Sequence, residues 1–348
     1  MTYIRPGLHK IRPFPQIFKL LILSVFLLLL QLDASRLRAG GSPSSVRRWY
    51  EVLPPAAKAR VAETGFEPFI LTISARSKKH DKKGLQALVE RWMDTTHTFH
   101  LPVGEMTITP GDFAFLTGIS CEGRMIEFDC SIYTPTVQAH YIHQLLGFVP
   151  RVRAGVIAYG ELRAHWERRV PTTGWELDKL VRSFLLYSFG CTLFADAASS
   201  VDLCLLPPLR NLDTVREWDW GSPALASLYR GLDRCCRGGS YVQGYGFLVE
   251  VCVLNSSFYS FILPGRLTLI LVLLQAWAYE FRVLARPFPI SRAEVVFPSL
   301  SRWDGSTVGS AESHDISVHR ARLNELTWDE VLFPFVCFFP FYPFLVLD

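Results

Sequence analysis

The chain has 348 residues, enough for one large domain or two ordinary ones, and 49% of them are hydrophobic. This composition excludes intrinsic disorder for most of the length, and a formal charge of +4 is too small to indicate a nucleic-acid-binding protein by itself. The eight cysteines include no C-x-x-C pair. In a long, hydrophobic chain they are expected to be buried thiols in a reducing compartment rather than a disulfide framework.

The first apolar run lies near the N-terminus. Basic residues precede Leu20–Leu30, which is typical of a signal-peptide core or a short membrane anchor. This run is shorter than the roughly 20 residues that cross a bilayer. Extending it to Ile17–Leu32 includes Lys19 and Gln31. Residues 1–45 are therefore interpreted as an apolar extension followed by a Gly/Ser/Arg linker.

Four later segments repeat apolar residues at the spacing of a helix that buries one face. Pro54 ends the first, and Pro55 begins a short helix that stops before Gly65. Ser222-Pro223 begins the last, which is expected to end at Gly238-Gly239. The four apolar faces are Val46, Trp49, Tyr50 and Leu53; Leu85, Leu88, Val89 and Trp92; Leu177, Leu180, Val181, Phe184, Leu185 and Phe189; and Leu225, Leu228, Tyr229 and Leu232.

One segment has the pattern of a β-hairpin. Thr98–Leu101 and Met106–Thr109 are β-prone runs around the turn residues Pro102–Glu105. Thr109 then caps a helix that runs from Pro110 to Gly118.

Alternation along the first strand predicts that Phe99 and Leu101 are buried and that His100 points the other way. The expected fold is a mainly α, single helix-rich domain with one small β-hairpin at about 98–109. Near the end of the chain, Thr327 and Glu330 have the spacing of a helix capping box.

Two histidine pairs are candidate metal ligands. His97 and His100 are three residues apart on a strand, so they should point to opposite faces. His140 and His143 would share a face if that segment is helical, but no third ligand has suitable spacing. No metal site is predicted.

No catalytic motif is assembled in the sequence. Lys179 is the one lysine after Lys83, and it is interpreted as a solvated helix position rather than a Schiff-base residue. The chain has no Gly-Lys-Ser/Thr phosphate loop and no G-x-S-x-G elbow. We therefore predict no catalytic residue and no cofactor. The basic segment Arg76–Lys83 remains open between a nuclear-import signal, a phosphate-contacting patch and a solvated loop.

Several blocks together resemble the plant mobile domain, a family also called aminotransferase-like. They occur in the family's order and cover most of Val46–Val331. The blocks are Trp49–Leu53 with Gly65-Phe66, Leu88–Thr109 with Asp112 and Leu116–Ile119, Tyr187–Phe194, Leu206–Asp213, Trp220–Arg230, Leu273–Glu280 and Leu326–Val331.

The resemblance marks twelve motif residues as structural or interaction positions. They are Trp92, His97, Phe99, His100, Leu101, Gly104, Glu105, Trp220, Gly221, Tyr229, Arg230 and Trp277.

The resemblance also implies a function. The family includes Maintenance-of-meristems-like proteins and long-form homologues of a Ser/Thr phosphatase, and the same domain is carried by plant transposable elements. It implies a non-enzymatic plant nuclear protein that acts in meristem maintenance and in transposon and gene silencing. The expected partners are proteins, either a phosphatase-like nuclear protein or chromatin factors, and nucleic-acid binding is left open. Metallophosphatase motifs are absent, so phosphatase activity is not carried over.

Two alternatives remain. The first is a membrane-anchored protein held by 17–32, with Leu267–Leu274 as a second apolar run. The second is an enzyme of unrecognised type, which would need a polar pocket.

Three segments have no counterpart in the family pattern: Met1–Leu32, the insertion Tyr245–Pro264, and the aromatic-rich tail at 332–348. We hypothesise that they are translated intron or misjoined exon sequence. Transcript sequencing across the junctions tests this, since mature messages that encode all three segments would contradict it.

Deletion of Tyr245–Pro264 should raise both the soluble yield and the thermal midpoint of unfolding. The segment is mostly apolar, yet it carries Glu250 and Asn255-Ser256-Ser257 without regular spacing. Buried, each unsatisfied polar group would cost roughly 1–3 kcal/mol. Exposed, the segment would form an apolar patch that promotes aggregation. Thermal unfolding of a chain that joins Gly244 to Gly265 provides the measurement, and loss of folding would mean that the segment belongs to the core.

Overall fold

Helices make up most of the described structure, as the sequence predicts for a mainly α domain. The computed structural model describes residues 43–74, 82–126, 135–195, 199–236, 268–284, 297–303 and 315–332, all within one compact unit. The helices are α1 (Pro43–Val52), α2 (Pro55–Glu63), α3 (Glu67–Ser74), α4 (Lys82–Val89), α5 (Pro110–Thr117), α6 (Pro135–Leu146), α7 (Tyr159–Trp166), α8 (Gly174–Cys191), α9 (Gly221–Cys236), α10 (Thr268–Glu280) and α11 (Ile316–Asn324). Short 3-10 helices cover Leu203–Leu205, Pro207–Leu209, Leu212–Glu217 and Ser299–Arg302.

Helix α8 lies at the centre of the helical core. From Leu180 to Cys191 every residue except Arg182 is buried, and α1, α2, α6 and α7 pack around this helix. Trp49 of α1 contacts the helix edge-on, with ring centroids 5.4 Å from Phe184 and 4.8 Å from Tyr187. The predicted apolar positions of this segment are confirmed from Leu180 to Phe189, and Leu177, near the exposed start of the helix, is partly buried.

The predicted hairpin forms, with different limits. Its strands are β2 (Thr98–Leu101) and β3 (Gly104–Met106), joined by the two residues Pro102-Val103. Gly104 has φ +119°, a conformation that favours glycine. The second strand ends at Met106 rather than Thr109 because the carbonyl of Ile108 accepts a hydrogen bond from the Tyr229 hydroxyl (2.6 Å) instead of pairing with a strand.

A third strand, β1 (Trp92–Met93), extends the hairpin to an antiparallel sheet in the order β1-β2-β3. Trp92 pairs with Phe99, and Phe99 pairs with Met106. The sequence spacing predicts Trp92 on the apolar face of the preceding helix. That helix, α4, ends at Val89, and Trp92 is nevertheless buried.

The structure adds a second three-stranded antiparallel sheet, which the sequence analysis did not predict. Its strands are β4 (Val152–Arg153), β5 (Val156–Ala158) and β6 (Ser200–Asp202), in the order β4-β5-β6. Strands of two or three residues are too short to show an alternating pattern. In addition, β6 comes from a distant part of the sequence and packs against α8.

Most of the predicted helix ends are confirmed. Thr109 caps α5 with a complete capping box, in which its hydroxyl accepts from the Asp112 amide and the Asp112 carboxylate accepts from the Thr109 amide. Gly118 ends α5 in the left-handed region. Helix α9 begins one residue earlier than predicted, at Gly221. The Thr327–Glu330 contacts form, at 2.9 Å from the Thr327 amide to the carboxylate, but they close a turn rather than begin a helix.

The end of the apolar run Leu267–Leu274 contributes to the core through Leu273 and Leu274. Helix α10 is 13 residues long, shorter than a bilayer requires, and Leu273, Leu274 and Trp277 are buried in it. In the described ranges, no helix combines the length and the hydropathy needed to cross a membrane. The segments 1–42, Tyr245–Pro264 and 333–348 lie outside the described residues, as does Gly238-Gly239.

Phe99→Ala should lower the free energy of unfolding by about 3–5 kcal/mol, as truncation of core aromatic side chains does. Phe99 is fully buried and Leu101 is buried, while the side chain of His100 is exposed, so the predicted alternation is confirmed. Urea unfolding of the full chain measures the change. His100→Ala, one residue away, is the control and should stay within about 0.5 kcal/mol; equal effects of the two changes would contradict this assignment of faces.

Candidate functional site

Six side chains on the first sheet, α9 and α10 form what we call the hairpin cluster: Trp92, His97, Phe99, Tyr229, Asp233 and Trp277. Strand pairing places Trp92 beside Phe99, with ring centroids 4.8 Å apart. Phe99 contacts Trp277 of α10 at 5.4 Å, and Trp92 contacts Tyr229 of α9 at 5.4 Å. Edge-on and tilted ring contacts of this kind stabilise a fold beyond the apolar area that they bury. The hairpin is therefore fixed to two helices through aromatic rings.

The Asp233 carboxylate connects Trp92 and His97 within the hairpin cluster. Its Oδ1 accepts a hydrogen bond from Trp92 Nε1 at 2.8 Å, and its Oδ2 lies 3.1 Å from His97 Nε2. The imidazole of His97 stacks on the Tyr229 ring with 5.6 Å between centroids and 13° between planes. His97 has φ +54°, which is uncommon outside glycine, so these contacts hold it in a strained backbone conformation.

The hydroxyl groups of Thr107 and Tyr229 donate hydrogen bonds to backbone carbonyls. The Thr107 hydroxyl donates to the His97 carbonyl at 2.7 Å and lies 3.1 Å from the Tyr229 hydroxyl. The Tyr229 hydroxyl donates to the Ile108 carbonyl, and burial raises the pKa of this phenol. These contacts fix the chain where the hairpin leads into α5. They leave neither hydroxyl beside the His97–Asp233 pair as an activated nucleophile.

The outer face of the hairpin is polar and exposed. His100 and Glu105 are paired across the two strands, with His100 Nε2 3.7 Å from a Glu105 carboxylate oxygen and side chains that are 43% and 52% exposed. The Thr98 hydroxyl donates to Glu105 at 2.9 Å, and the Thr96 hydroxyl lies 2.7 Å from that of Thr98. We call these four residues, Thr96, Thr98, His100 and Glu105, the outer face. It is a hydrogen-bonding surface supported from below by the hairpin cluster.

The two histidines of the hairpin engage different carboxylates, His97 that of Asp233 and His100 that of Glu105. His140 lies on α6 with its Nε2 2.9 Å from the Gln144 side-chain amide, and His143 is exposed on the same helix. Across the described part of the chain, no three His, Cys, Asp or Glu side chains converge as metal ligands.

The structure corrects the interpretation of Lys179 as solvated. The residue is 4% exposed, and its Nζ lies 3.6 Å from the ring centroid of Trp175. Burial lowers the pKa of this amine, with Arg182 acting in the same direction and Glu176 opposing them.

The thiols in the described residues are either buried or partly buried. Cys191, Cys204 and Cys235 are buried as predicted, and Cys121 and Cys236 are half-buried. Burial raises the pKa of Cys191 and of Cys235 to about 12, and burial together with Asp219 does the same at Cys121. A nucleophilic cysteine needs a lowered pKa, so these three thiols are poor nucleophiles.

Trp220 and Gly221 make contacts outside the hairpin cluster. Trp220 is buried against Phe66 and Phe189, with centroids at 5.7 and 4.8 Å. Gly221 begins α9 where its amide donates to Ser120, and a Cβ at this position would lie 2.5 Å from Cys121 Sγ. The same position therefore requires glycine for close packing. Arg230 is half-buried on α9.

Sequence reasoning missed Asp233. The aspartate lies four residues after Tyr229, one turn further along α9, so the two side chains share the face that meets the hairpin. The four-residue spacing from Tyr229 was the sequence signal that could have identified Asp233. Nothing in the local sequence indicated that its partners would be Trp92 and His97, more than 130 residues earlier.

The fold and the site define a mainly α-helical domain that carries a β-hairpin on an aromatic base. The family model of the plant mobile domain matches residues 68–336, most of the chain, so the protein belongs to the plant mobile domain family. No solved structure matches this chain.

Three similar proteins, all from Arabidopsis thaliana, match parts of the chain. Protein MAIN-LIKE 1 is 30% identical over 249 residues, which are 70% of this chain and 43% of the relative. Protein MAINTENANCE OF MERISTEMS is 28% identical over 255 residues, 70% of this chain and 45% of the relative. A serine/threonine-protein phosphatase 7 long form homolog is 33% identical over 209 residues, 58% of this chain and 13% of the relative. The alignments thus span less than half of each of these relatives.

Asp233→Ala should lower the free energy of unfolding by roughly 1–3 kcal/mol, because it leaves the buried Trp92 indole N–H without its acceptor and releases His97. Asp329→Ala, at an exposed aspartate, is the matched control and should change stability by no more than about 0.5 kcal/mol. Urea unfolding followed by circular dichroism compares the two. Equal midpoints for both variants would contradict the role assigned to Asp233.

Proposed function

We propose that this protein is a non-enzymatic plant nuclear protein that acts through protein contacts in meristem maintenance and in transposon and gene silencing. The main observation in support of this proposal is the outer face, a polar surface that packs on the aromatic rings of the hairpin cluster. Support for the biological setting comes from the relatives named MAIN-LIKE 1 and MAINTENANCE OF MERISTEMS.

The non-enzymatic part of the proposal rests on how the polar groups of the site are used. Asp233 accepts from an indole and lies against an imidazole, and the Thr107 and Tyr229 hydroxyls donate to backbone carbonyls. A general base would need its partner proton within hydrogen-bonding reach, and a nucleophile would need an adjacent base. In the described residues these groups are instead joined to one another and to the backbone, which favours a structural role.

The outer face favours a protein partner. Its side chains offer a carboxylate, an imidazole and two hydroxyls on the two short strands and the turn that precedes them, so both hydrogen-bond donors and acceptors are available. The buried aromatic base limits the movement of the hairpin, which reduces the entropy that binding would cost. We propose a phosphatase-like nuclear protein or a chromatin factor as the partner; the first is suggested by the phosphatase long-form relative.

The test compares the His100→Ala/Glu105→Ala variant with wild type in pull-downs of the tagged full chain from plant nuclei. The chain offers a matched control in Arg47 and Glu51, an ion pair on α1 with similarly exposed side chains of 44% and 54%. A nuclear partner retained by wild type and by Arg47→Ala/Glu51→Ala, but absent from the hairpin variant, is the expected result. Retention by all three proteins would reject the outer face as the interface.

Localisation is tested separately, with a fluorescent tag and detergent-free fractionation of plant cells. The proposal predicts that the full chain is recovered with nuclei. Recovery with membranes would instead favour the membrane-anchored alternative through residues 17–32.

A further inference from the structure

A second surface lies away from the hairpin, at the start of α8. Trp175 is 62% exposed there, and Lys179, one turn later, is almost fully buried with its Nζ 3.6 Å from the centre of the indole. A cation at this distance over an indole is a favourable contact that holds the ring in place. An exposed tryptophan is thus fixed on the surface instead of moving freely.

This tryptophan continues into a row of aromatic and basic side chains. Gly147 packs against the Lys179 side chain, since a Cβ added at Gly147 would lie 3.2 Å from Lys179 Cδ. The next residue, Phe148, stacks on His165 with 4.0 Å between centroids and 7° between planes. Arg169 then lies with its NH1 2.7 Å from His165 Nε2. We call Trp175, Lys179, Phe148, His165 and Arg169 the Trp175 row.

The charge around the Trp175 row is positive. Residues 147–179 include six basic and four acidic side chains. All four acidic groups are engaged: Glu161 with the Arg151 amide, Glu167 with Arg163, Glu176 with Thr172, and Asp178 with Arg60.

The side chains of Arg151, Arg153, Arg168 and Arg169 are exposed. Burial and the neighbouring Arg169 lower the pKa of His165, so the positive charge at neutral pH comes from the arginines and Lys179.

We infer that the Trp175 row binds single-stranded nucleic acid, with a base stacked on Trp175 and phosphates contacting Arg168 and Arg169. Each nucleotide combines a flat aromatic base with an anionic phosphate. An exposed, fixed indole, linked through Lys179, Phe148 and His165 to the exposed Arg169, matches both parts of that unit. Duplexes present their bases stacked and paired, so they offer the phosphates without the base face. This inference is independent of the protein contacts proposed for the outer face, which lies on different elements.

The test measures binding of the full chain to a fluorescent oligothymidylate of about 10 nucleotides, a length within the range that one such surface covers. Trp175→Ala should weaken binding at least about fivefold, the lower limit expected when one base-stacking interaction is removed. Trp328→Ala is the matched control, because Trp328 is 61% exposed elsewhere on the surface. It should leave the affinity within about twofold.

A second pair of variants separates local phosphate binding from net charge. Arg168→Glu and Arg48→Glu change the charge equally at two exposed arginines. Only Arg168→Glu should weaken binding strongly and make the salt dependence shallower, by about 0.7 in the slope of log K against log salt for each phosphate that is no longer neutralised. Circular dichroism of each variant checks that it is folded.

Three results would overturn the inference. The first is no binding by wild type at about 100 µM in low salt, the weak end of non-specific nucleic-acid affinity. The second is equal weakening by Trp175→Ala and Trp328→Ala. The third is preference of the Trp175 row for an acidic peptide over the oligonucleotide, which would make the surface a protein-binding site.

Discussion

The hydrogen bonds of one carboxylate, Asp233, join the hairpin to the helical scaffold, together with the ring contacts of Trp92 and Phe99. These hydrogen bonds hold the indole of Trp92 and the imidazole of His97, and so connect α9 to residues that are more than 130 positions earlier in the chain. A partly buried carboxylate is stable only when its oxygens have hydrogen-bond partners. The position of Asp233 on α9 and the positions of Trp92 and His97 therefore depend on each other. The stacking of His97 on Tyr229 and the hydroxyl contacts of Thr107 follow from the same placement. The outer face is thereby presented from a supported sheet rather than from a mobile loop.

Local patterns predicted the parts of this arrangement that local physics determines. The alternation of Phe99, His100 and Leu101 follows from the pleat of a strand, and the cap at Thr109 follows from the unsatisfied amides at a helix start. Both could be predicted because the partners lie within a few residues. The long apolar helix α8 was predicted for a similar reason, since a helix buried on all sides shows its apolar character without reference to its neighbours.

The features that the sequence did not predict depend on contacts between distant segments. Strand β6 pairs with β5 from some forty residues earlier, and neither strand is long enough to show a period. The charge of Lys179 predicts a solvated position, but the residue is buried beneath Trp175 and against Gly147. Its long apolar stem can be buried while the amine contacts the indole. Asp233 was missed because its partners are defined only when the hairpin meets α9. The motif residues therefore include every member of the hairpin cluster except Asp233, and the geometry of the cluster is defined only by the fold.

We propose that this plant mobile domain protein binds its partner through the outer face of the preformed hairpin. Amide hydrogen exchange of the full chain, with and without a nuclear partner retained in the pull-down, is the deciding experiment. We expect slow exchange at residues 98–106 in the free protein, because the hairpin is already folded, and further protection at residues 96–105 when the partner binds. Exchange at Arg47–Glu51 should stay unchanged. Protection by the partner at other elements, with the hairpin exchanging as in the free protein, would show that the partner binds elsewhere.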